Sequence, residues 1–440
     1  SSNSLCLIEA WLKEKSAPIV RATPDPDYQV PVLQDIRTTL LKHDRATVVM
    51  ACGTGKTLVS LWAAEQANPK TVLVLVPSLT LLQQTLGEWS EHTSWGSRFS
   101  YLCVCSDKEV DLRSDELNID LNEVGFPVNT DPNNVRKFLQ RDTKKIKIIF
   151  STYQSSNIVG EGAKDLPPID LAIFDEAHKT TGLEGGKFGY ALSDKNICIS
   201  KRLFLTATPR HYDIRRRNKE GEFRIRSMDD ESVYGPRAHT LSFSAAANKG
   251  IICKYKVIVS LMNREMVNDF TRKNGITIVD GDEIGARWVA NLIALQLAVE
   301  EKGAKKIISF HSRVKLAQEF GKNEPRGIAY HLPDYDVRHV NGKQKSLERG
   351  EIIREFAKAP QSLLTNARCL TEGVDIPAVD MVAFIDPKQS RIDIAQAVGR
   401  AMRKPRGATT KTVGYVLVPL FSDSDSKENL QNAIESEKFD

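Results

Sequence analysis

Long apolar runs are missing from this chain. No stretch of about eighteen apolar residues is available to span a bilayer, and the N-terminus lacks a basic region leading into an apolar core. A membrane-spanning or exported protein is therefore not expected, and the reading is cytoplasmic. Cysteine is sparse too. Seven (6, 52, 103, 105, 198, 253 and 369) are scattered over 440 residues, which excludes a disulfide scaffold and makes reduced thiols the expected state. Cys103 and Cys105 form C-x-C inside an apolar run, the pattern of a buried strand rather than a zinc knuckle. His92, His211, His239 and His331 lack the spacing of metal ligands. Charge of one sign is not in large excess either: a net +5 permits a nucleic-acid partner without demanding one. Repeats of fixed short period and low-complexity tracts are absent, which excludes a solenoid. Ser1 and the polar, acidic ending read as a fragment or a trimmed chain.

What is present is an alternation of short β-branched runs with helix-length segments. The runs around Val48, at Val72 to Val76, Leu102 to Val104, Ile146 to Phe150, Leu171 to Phe174 and Leu203 to Leu205 predict a parallel sheet covered by helices on both faces. A second block predicts strands at Lys306 to Phe310, at Ile328 to Tyr330 or Asp336 to Val340, and at Ser362 to Thr365, Met381 to Ile385 and Thr412 to Leu417. The fold class is α/β with two layers of comparable size. Leu5 to Lys15 reads as a short amphipathic helix ahead of a proline-rich linker, and the polar span from Ser106 to Lys145 as a surface elaboration. Between residues 210 and 226, seven basic residues stand against three acidic ones, a charge run that is either a solvated segment or a DNA contact.

One stretch organises the rest. Met50-Ala51-Cys52-Gly53-Thr54-Gly55-Lys56-Thr57 follows a predicted strand and precedes a predicted helix, the order that turns backbone N–H groups and a helix N-terminus toward polyphosphate. Gly53 and Gly55 allow close backbone approach beside Thr54. Lys56 reaches the β- and γ-phosphates, and the Thr57 hydroxyl is placed for Mg²⁺. Met50 stands where the general P-loop pattern has its first glycine. Downstream, the apolar strand Ile169 to Phe174 ends in Asp175-Glu176-Ala177-His178. An ATPase needs one acid to hold Mg²⁺ and a second to orient the attacking water, and these roles are expected of Asp175 and Glu176, with His178 beside them.

With these two motifs, the chain from Tyr28 to Leu417 resembles a superfamily-two DEAD/DEAH-box helicase or translocase. The resemblance implies two tandem RecA-like domains: 1–27 as an extension, 28–250 and 251–420 as the domains, and 421–440 as a polar tail. It implies that Gln29 or Gln34 reads adenine. Pro77, Ser78 and Thr80 resemble motif Ia, and Thr152 with Tyr153 a later strand-end motif, both facing the nucleic-acid backbone in this family. Thr206 and Thr208 match motif III, which couples hydrolysis to strand movement. Phe310, His311 and Ser312 resemble motif IV, with His311 and Ser312 expected on nucleic acid. Thr365 to Pro377 resembles motif V, contributing Asn366 to nucleic acid and Gly373 and Asp375 to nucleotide. Gln396 to Arg403 matches motif VI, with Gln396 in the catalytic set. Arg400 and Arg403, three apart on one predicted helix face, are expected to meet the γ-phosphate across a domain cleft as arginine fingers, an effect of about 10³ to 10⁵ in rate.

M-A-C-G-T-G-K-T, D-E-A-H-K, L-T-A-T-P-R and Q-A-V-G-R-A-M-R look more like the motors of type I, type III and single-chain restriction enzymes than like RNA-processing DEAD-box proteins, as does the segment Ser227 to Ala245. The implied activity is Mg²⁺- and ATP-dependent DNA unwinding or translocation, with duplex DNA favoured as partner. An RNA helicase and an ATP-gated DNA clamp are the alternatives. A nuclease pattern is absent, since Asp25 has no acid-x-Lys partner on a downstream strand, and so is a methyltransferase motif. Those activities are expected, if anywhere, in another domain or subunit.

Overall fold

The structure, a computed structural model, describes residues 21–105, 128–183, 187–211, 225–278, 282–342, 344, 346–367, 379–386, 391–404 and 411–422. The described residues up to Phe243 form one compact unit and those from Ser244 a second. Among the described residues, no helix is long and apolar enough to cross a membrane.

The first unit is built on an eight-stranded sheet. Its strands are β1 (Arg45–Met50), β2 (Thr71–Val76), β3 (Phe99–Val104), β4 (Val128–Asn129), β5 (Ile146–Thr152) and β6 (Ile169–Phe174), followed by a two-stranded ribbon of β7 (Gly182–Leu183) and β9 (Ile225–Arg226), with β8 (Ile199–Thr206) and β10 (Arg237–Leu241) back in the main sheet. The spatial order is β10-β1-β8-β6-β2-β5-β3-β4, and every pairing is parallel. Strands such as Thr-Val-Leu-Val-Leu-Val are apolar without alternation because helices bury both faces of a parallel sheet. The helices start where the sequence supplies caps: the Ser78 hydroxyl accepts from Leu81 N ahead of the helix Leu79–His92, and Asp131 caps Pro132–Gln140 with proline at its first position. Aromatic rings close the core at Phe174 and Phe204, whose centroids lie 4.6 Å apart.

The expected surface elaboration is corrected in part. Residues 106–127 lie outside the described residues, but Asn129 extends the sheet edge, and Val135 and Phe138 of the next helix are buried in the main core. A helix with apolar residues three apart needs a surface to cover, and the helix Ser156–Ala163 provides it, with Gly162 against Val135.

The second unit carries β11 (Lys254–Asn263), β12 (Lys306–Phe310), β13 (Asp336–Val340), β14 (Ser362–Asn366), β15 (Met381–Phe384) and β16 (Val413–Ser422), ordered β11-β16-β15-β12-β14-β13 and again wholly parallel. Ile308, Leu364, Val382 and Val416 pack on one face with Ala397 and Ala401. Ile307, Leu363, Met381 and Leu417 pack on the other with Leu292 and Leu295 of the helix Glu283–Lys302. Of the two candidates for a strand between residues 328 and 340, Asp336–Val340 is the strand and Ile328–His331 a helical turn. Cys103 is buried in β3 as expected, and burial together with nearby Cys105 pushes its thiol pKa up. No cluster of His, Cys, Asp or Glu suited to a metal occurs among the described residues.

Candidate active site

Parallel strands end together, so one sheet edge collects every loop that follows a strand's carboxyl end. In the first unit that edge carries, in spatial order, the glycine loop after β1, Thr206 at the end of β8, Asp175 after β6, Pro77 and Ser78 after β2, and Thr152 and Tyr153 at the end of β5. The motifs are distant in sequence and adjacent in space.

Met50 is fully buried as the last residue of β1, so the strand places an apolar side chain in the core where the general pattern has glycine. Gly53 and Gly55 have φ of 83° and 82°, left-handed values that disfavour a side chain. At Gly55 an added Cβ would also lie 2.7 Å from Gln29 Nε2. Thr54 is buried, its hydroxyl donating to Ala51 O at 2.8 Å. The helix Lys56–Ala67 begins with no side-chain cap, leaving its first amides directed at the loop. Gln29 Nε2 donates to Thr54 O at 3.2 Å, while its Oε1 accepts from Asp25 N at 2.8 Å. Gln34 is exposed on the same helix. Of the two glutamines, only Gln29 touches the loop.

Lys56 Nζ lies 3.4 Å from Met50 O and 3.9 Å from Glu176 Oε1. Glu176 has φ 48° and ψ 47°, a left-handed backbone that is costly for a residue with a Cβ and is typical of functional turns. Its Oε2 is buried without a hydrogen-bond partner and sits 3.4 Å from His178 Nδ1. Burial pushes the Asp175 carboxyl up, and the neighbouring Glu176 charge adds to this, to about 7. Burial acts on Glu176 in the same direction, but Lys56 and the His178 contact outweigh it and hold its pKa below the usual range. Two buried carboxylates thus face one ammonium. That donor set, with an orphaned carboxylate oxygen beside an uncapped helix N-terminus, fits a polyphosphate bound with a divalent cation.

His178 is fully buried, with Nδ1 3.0 Å from Thr206 Oγ1, which also accepts from Thr208 N at 3.2 Å. The acidic turn and the end of β8 are therefore joined. Ser78 caps its helix, the Thr80 hydroxyl is buried without a partner, and Thr152 bonds Ser155 Oγ at 3.0 Å. Tyr153 is 0% exposed, so its side chain points into the core rather than along the surface. Reading Tyr153 as a surface contact is corrected: a phenol seated between Phe174 and Phe188 reaches inward to the acidic turn. Sequence inspection also missed Trp89, whose indole N–H donates to Thr57 O at 3.3 Å. A tryptophan thirty-two residues on carries no local signal of that contact.

In the second unit, Ser312 N and Oγ both donate to Asp386 Oδ2, at 2.7 and 2.9 Å. His311 is buried with Nε2 3.0 Å from Ser309 Oγ and its ring against Phe320, so direct contact with a nucleic-acid backbone is corrected here too. Burial, reinforced by His339, pulls its pKa down to about 3. Asn366 is buried at the end of β14, and Gln396 is buried with Oε1 unpartnered. Arg400 lies on the helix Arg391–Ala401, but Arg403 falls beyond the helix end, in a turn closed by Arg403 N donating to Arg400 O at 3.3 Å. The shared helix face is thereby corrected; Lys404-Pro405 follows, and the residue before proline disfavours helix. Gly373, Asp375 and most of the basic segment 210–226 lie outside the described residues.

Two parallel α/β sheets in tandem, the first with a glycine loop beside an acidic turn, are the parts of a superfamily-two helicase, and the chain belongs to that superfamily by two domain matches. Residues 24–211 match the family described as type III restriction enzyme, res subunit, and residues 288–405 match the helicase conserved C-terminal domain. Within the superfamily the chain resembles restriction-enzyme motors. It is similar to a solved structure of the ATP-dependent Type ISP restriction-modification enzyme LlaBIII bound to DNA, with 28% identity and a TM-score of 0.76, covering 92% of this chain and 28% of that one. A probable helicase of African swine fever virus is 28% identical over 379 residues, 83% of this chain and 38% of its own length. The ATP-dependent RNA helicase HAS1 of Debaryomyces hansenii is 34% identical over 103 residues, 23% of this chain and 17% of its own. The chain thus spans well under half of these relatives.

Proposed function

We propose that this chain is the motor of a DNA translocase or helicase, hydrolysing ATP on the first unit's sheet edge and acting on duplex DNA in preference to single strands or RNA. The observation that carries the reading is the convergence of the left-handed Gly53–Gly55 loop, Lys56 and the buried Asp175–Glu176 pair. Gly53, Thr54 and Gly55 present backbone donors to the phosphates, and Lys56 neutralises them. Gln29, anchored to Thr54 O, reads the base edge. Thr57 and Asp175 hold Mg²⁺, which supplies charge neutralisation at the phosphates when bound. Glu176 orients the attacking water and takes its proton, and His178 links that carboxylate to Thr206 and Thr208. Ser78, Thr80 and Ser312 are assigned to the nucleic-acid backbone, where hydroxyl groups bind without reading sequence, while Thr152 and Asn366 are buried as Tyr153 and His311 are. Gln396 and Arg400, on the helix Arg391–Ala401, and Arg403 in the turn after it are assigned to ATP hydrolysis by their motif. Any nuclease or methyltransferase activity is assigned to sequence outside these residues.

Duplex DNA is favoured because likeness to a DNA-bound restriction enzyme extends over nearly the whole chain, whereas likeness to an RNA helicase covers a quarter of it. Steady-state ATPase assays at one low salt concentration, without nucleic acid and with single-stranded DNA, duplex DNA or duplex RNA, test this. Strong stimulation by duplex DNA is expected. Stimulation by RNA alone would move the function to RNA remodelling, and ATP turnover without displacement of a bound roadblock would make the chain a clamp.

A further inference from the structure

Tyr153 is the first residue of the 3₁₀ turn Tyr153–Ser155 that follows β5. Thr152 Oγ1 bonded to Ser155 Oγ and Ser156 Oγ donating to Tyr153 O at 2.7 Å lock that turn. The tyrosine ring is stacked on Phe174, with centroids 6.3 Å apart, and tilted on Phe188 at 5.8 Å. Its phenol then donates to the backbone carbonyl of Asp175 at 2.6 Å.

The other end of the same peptide is also held, because Glu176 N donates to Asp175 Oδ1 at 2.9 Å. The Asp175–Glu176 peptide plane is thus pinned on both sides, at the residue where the chain enters its left-handed conformation. That conformation is costly for a residue with a Cβ and persists only where the surroundings hold it. Rotating the peptide would swing the Glu176 carboxylate away from Lys56 and break the bond to the Asp175 carboxylate.

We infer that Tyr153 is a positioning residue for the acidic pair, its hydroxyl fixing the Asp175–Glu176 peptide and through it both carboxylates. The inference rests on the nucleotide site proposed above and deepens it. A residue whose motif position suggests a nucleic-acid contact instead braces the metal and base turn.

The test is Tyr153→Phe, which keeps the ring packing and removes one oxygen. Tyr234→Phe serves as control, since it removes an equally buried hydroxyl, bonded to Thr180 Oγ1 at 2.9 Å, from the same core without touching the Asp175–Glu176 peptide. Each variant is compared with the unaltered chain in three measurements: kcat for ATP with duplex DNA, affinity for a fluorescent ATP analogue with and without Mg²⁺, and thermal midpoint. Tyr153→Phe is expected to lower kcat about tenfold, the scale of one buried hydrogen bond. It should also shrink the Mg²⁺-dependent gain in analogue affinity severalfold while leaving Mg²⁺-free affinity unchanged. Tyr234→Phe is expected to lower only the thermal midpoint. If Tyr153→Phe changes the midpoint alone, or both variants depress kcat alike, the hydroxyl is structural and the inference falls. An unaltered chain that hydrolyses no ATP on any nucleic acid would overturn the parent reading, and the Mg²⁺-dependent affinity would still decide this one.

Discussion

At the scale of single residues, the site turns on Glu176, held against its intrinsic preference twice over, by a left-handed backbone and by a buried Oε2 without a hydrogen-bond partner. Glu176→Gln keeps shape and burial while removing the base. It is expected to lower ATP turnover by about 10²-fold or more, with ATP still bound, as measured by paired turnover and nucleotide-binding assays. Gln29→Ala removes the side chain that braces Thr54 and should raise KM for ATP and erase preference for adenine over guanine nucleotides. Gln34→Ala, on the exposed side of the same helix, should leave KM unchanged. Sequence left these two glutamines level because both fall upstream of the loop at plausible spacing. Only the path of the helix Gln29–Lys42 separates them.

At the scale of elements, a buried cation ties β8 to the segment that leads into it. Arg202 in β8 is fully buried and donates to the carbonyls of Ala191, Ile197 and Ile199 and to Asp194. Burial pulls its pKa down, with the Asp194 bond opposing, and the buried guanidinium is satisfied by this dense set of acceptors. Arg202→Ala should strand three carbonyls and open a cavity, costing about 3 kcal/mol in a denaturant unfolding experiment. In the second unit, Arg400→Ala should depress kcat with little change in ATP affinity. The short elements were the least legible. The Ile328–His331 turn and the Asp336–Val340 strand are both brief, and a strand is chosen at the second by its pairing with β14, a contact invisible to local pattern. Likewise the helix Pro132–Gln140 reads as polar by composition, yet its Val135 and Phe138 are core.

At the scale of the molecule, acid sensitivity is predicted for the second unit. His311 and His339 are pulled down by burial, to about 3 and about 4. Between those values and the ordinary 6.5 the unfolded chain binds protons that the folded chain does not, so stability is full above about pH 6.5 and falls as pH drops below it. For His311 alone the loss between pH 6.5 and 5 is roughly 2 kcal/mol. Chemical denaturation at pH 7 and pH 5 checks this, and His311→Asn should remove about half of the difference, leaving the share of His339. The residue order alone determined the α/β class and the strands that flank the glycine loop and the acidic turn, because strand period, glycine spacing and caps act over a few residues. Only the tertiary structure decided that Gln29 rather than Gln34 meets the loop, that Tyr153 and His311 point inward, and that Arg403 leaves its helix. Those outcomes depend on which strands lie side by side and what each side chain must pack against, and such contacts are set by the whole sheet rather than by neighbours in sequence.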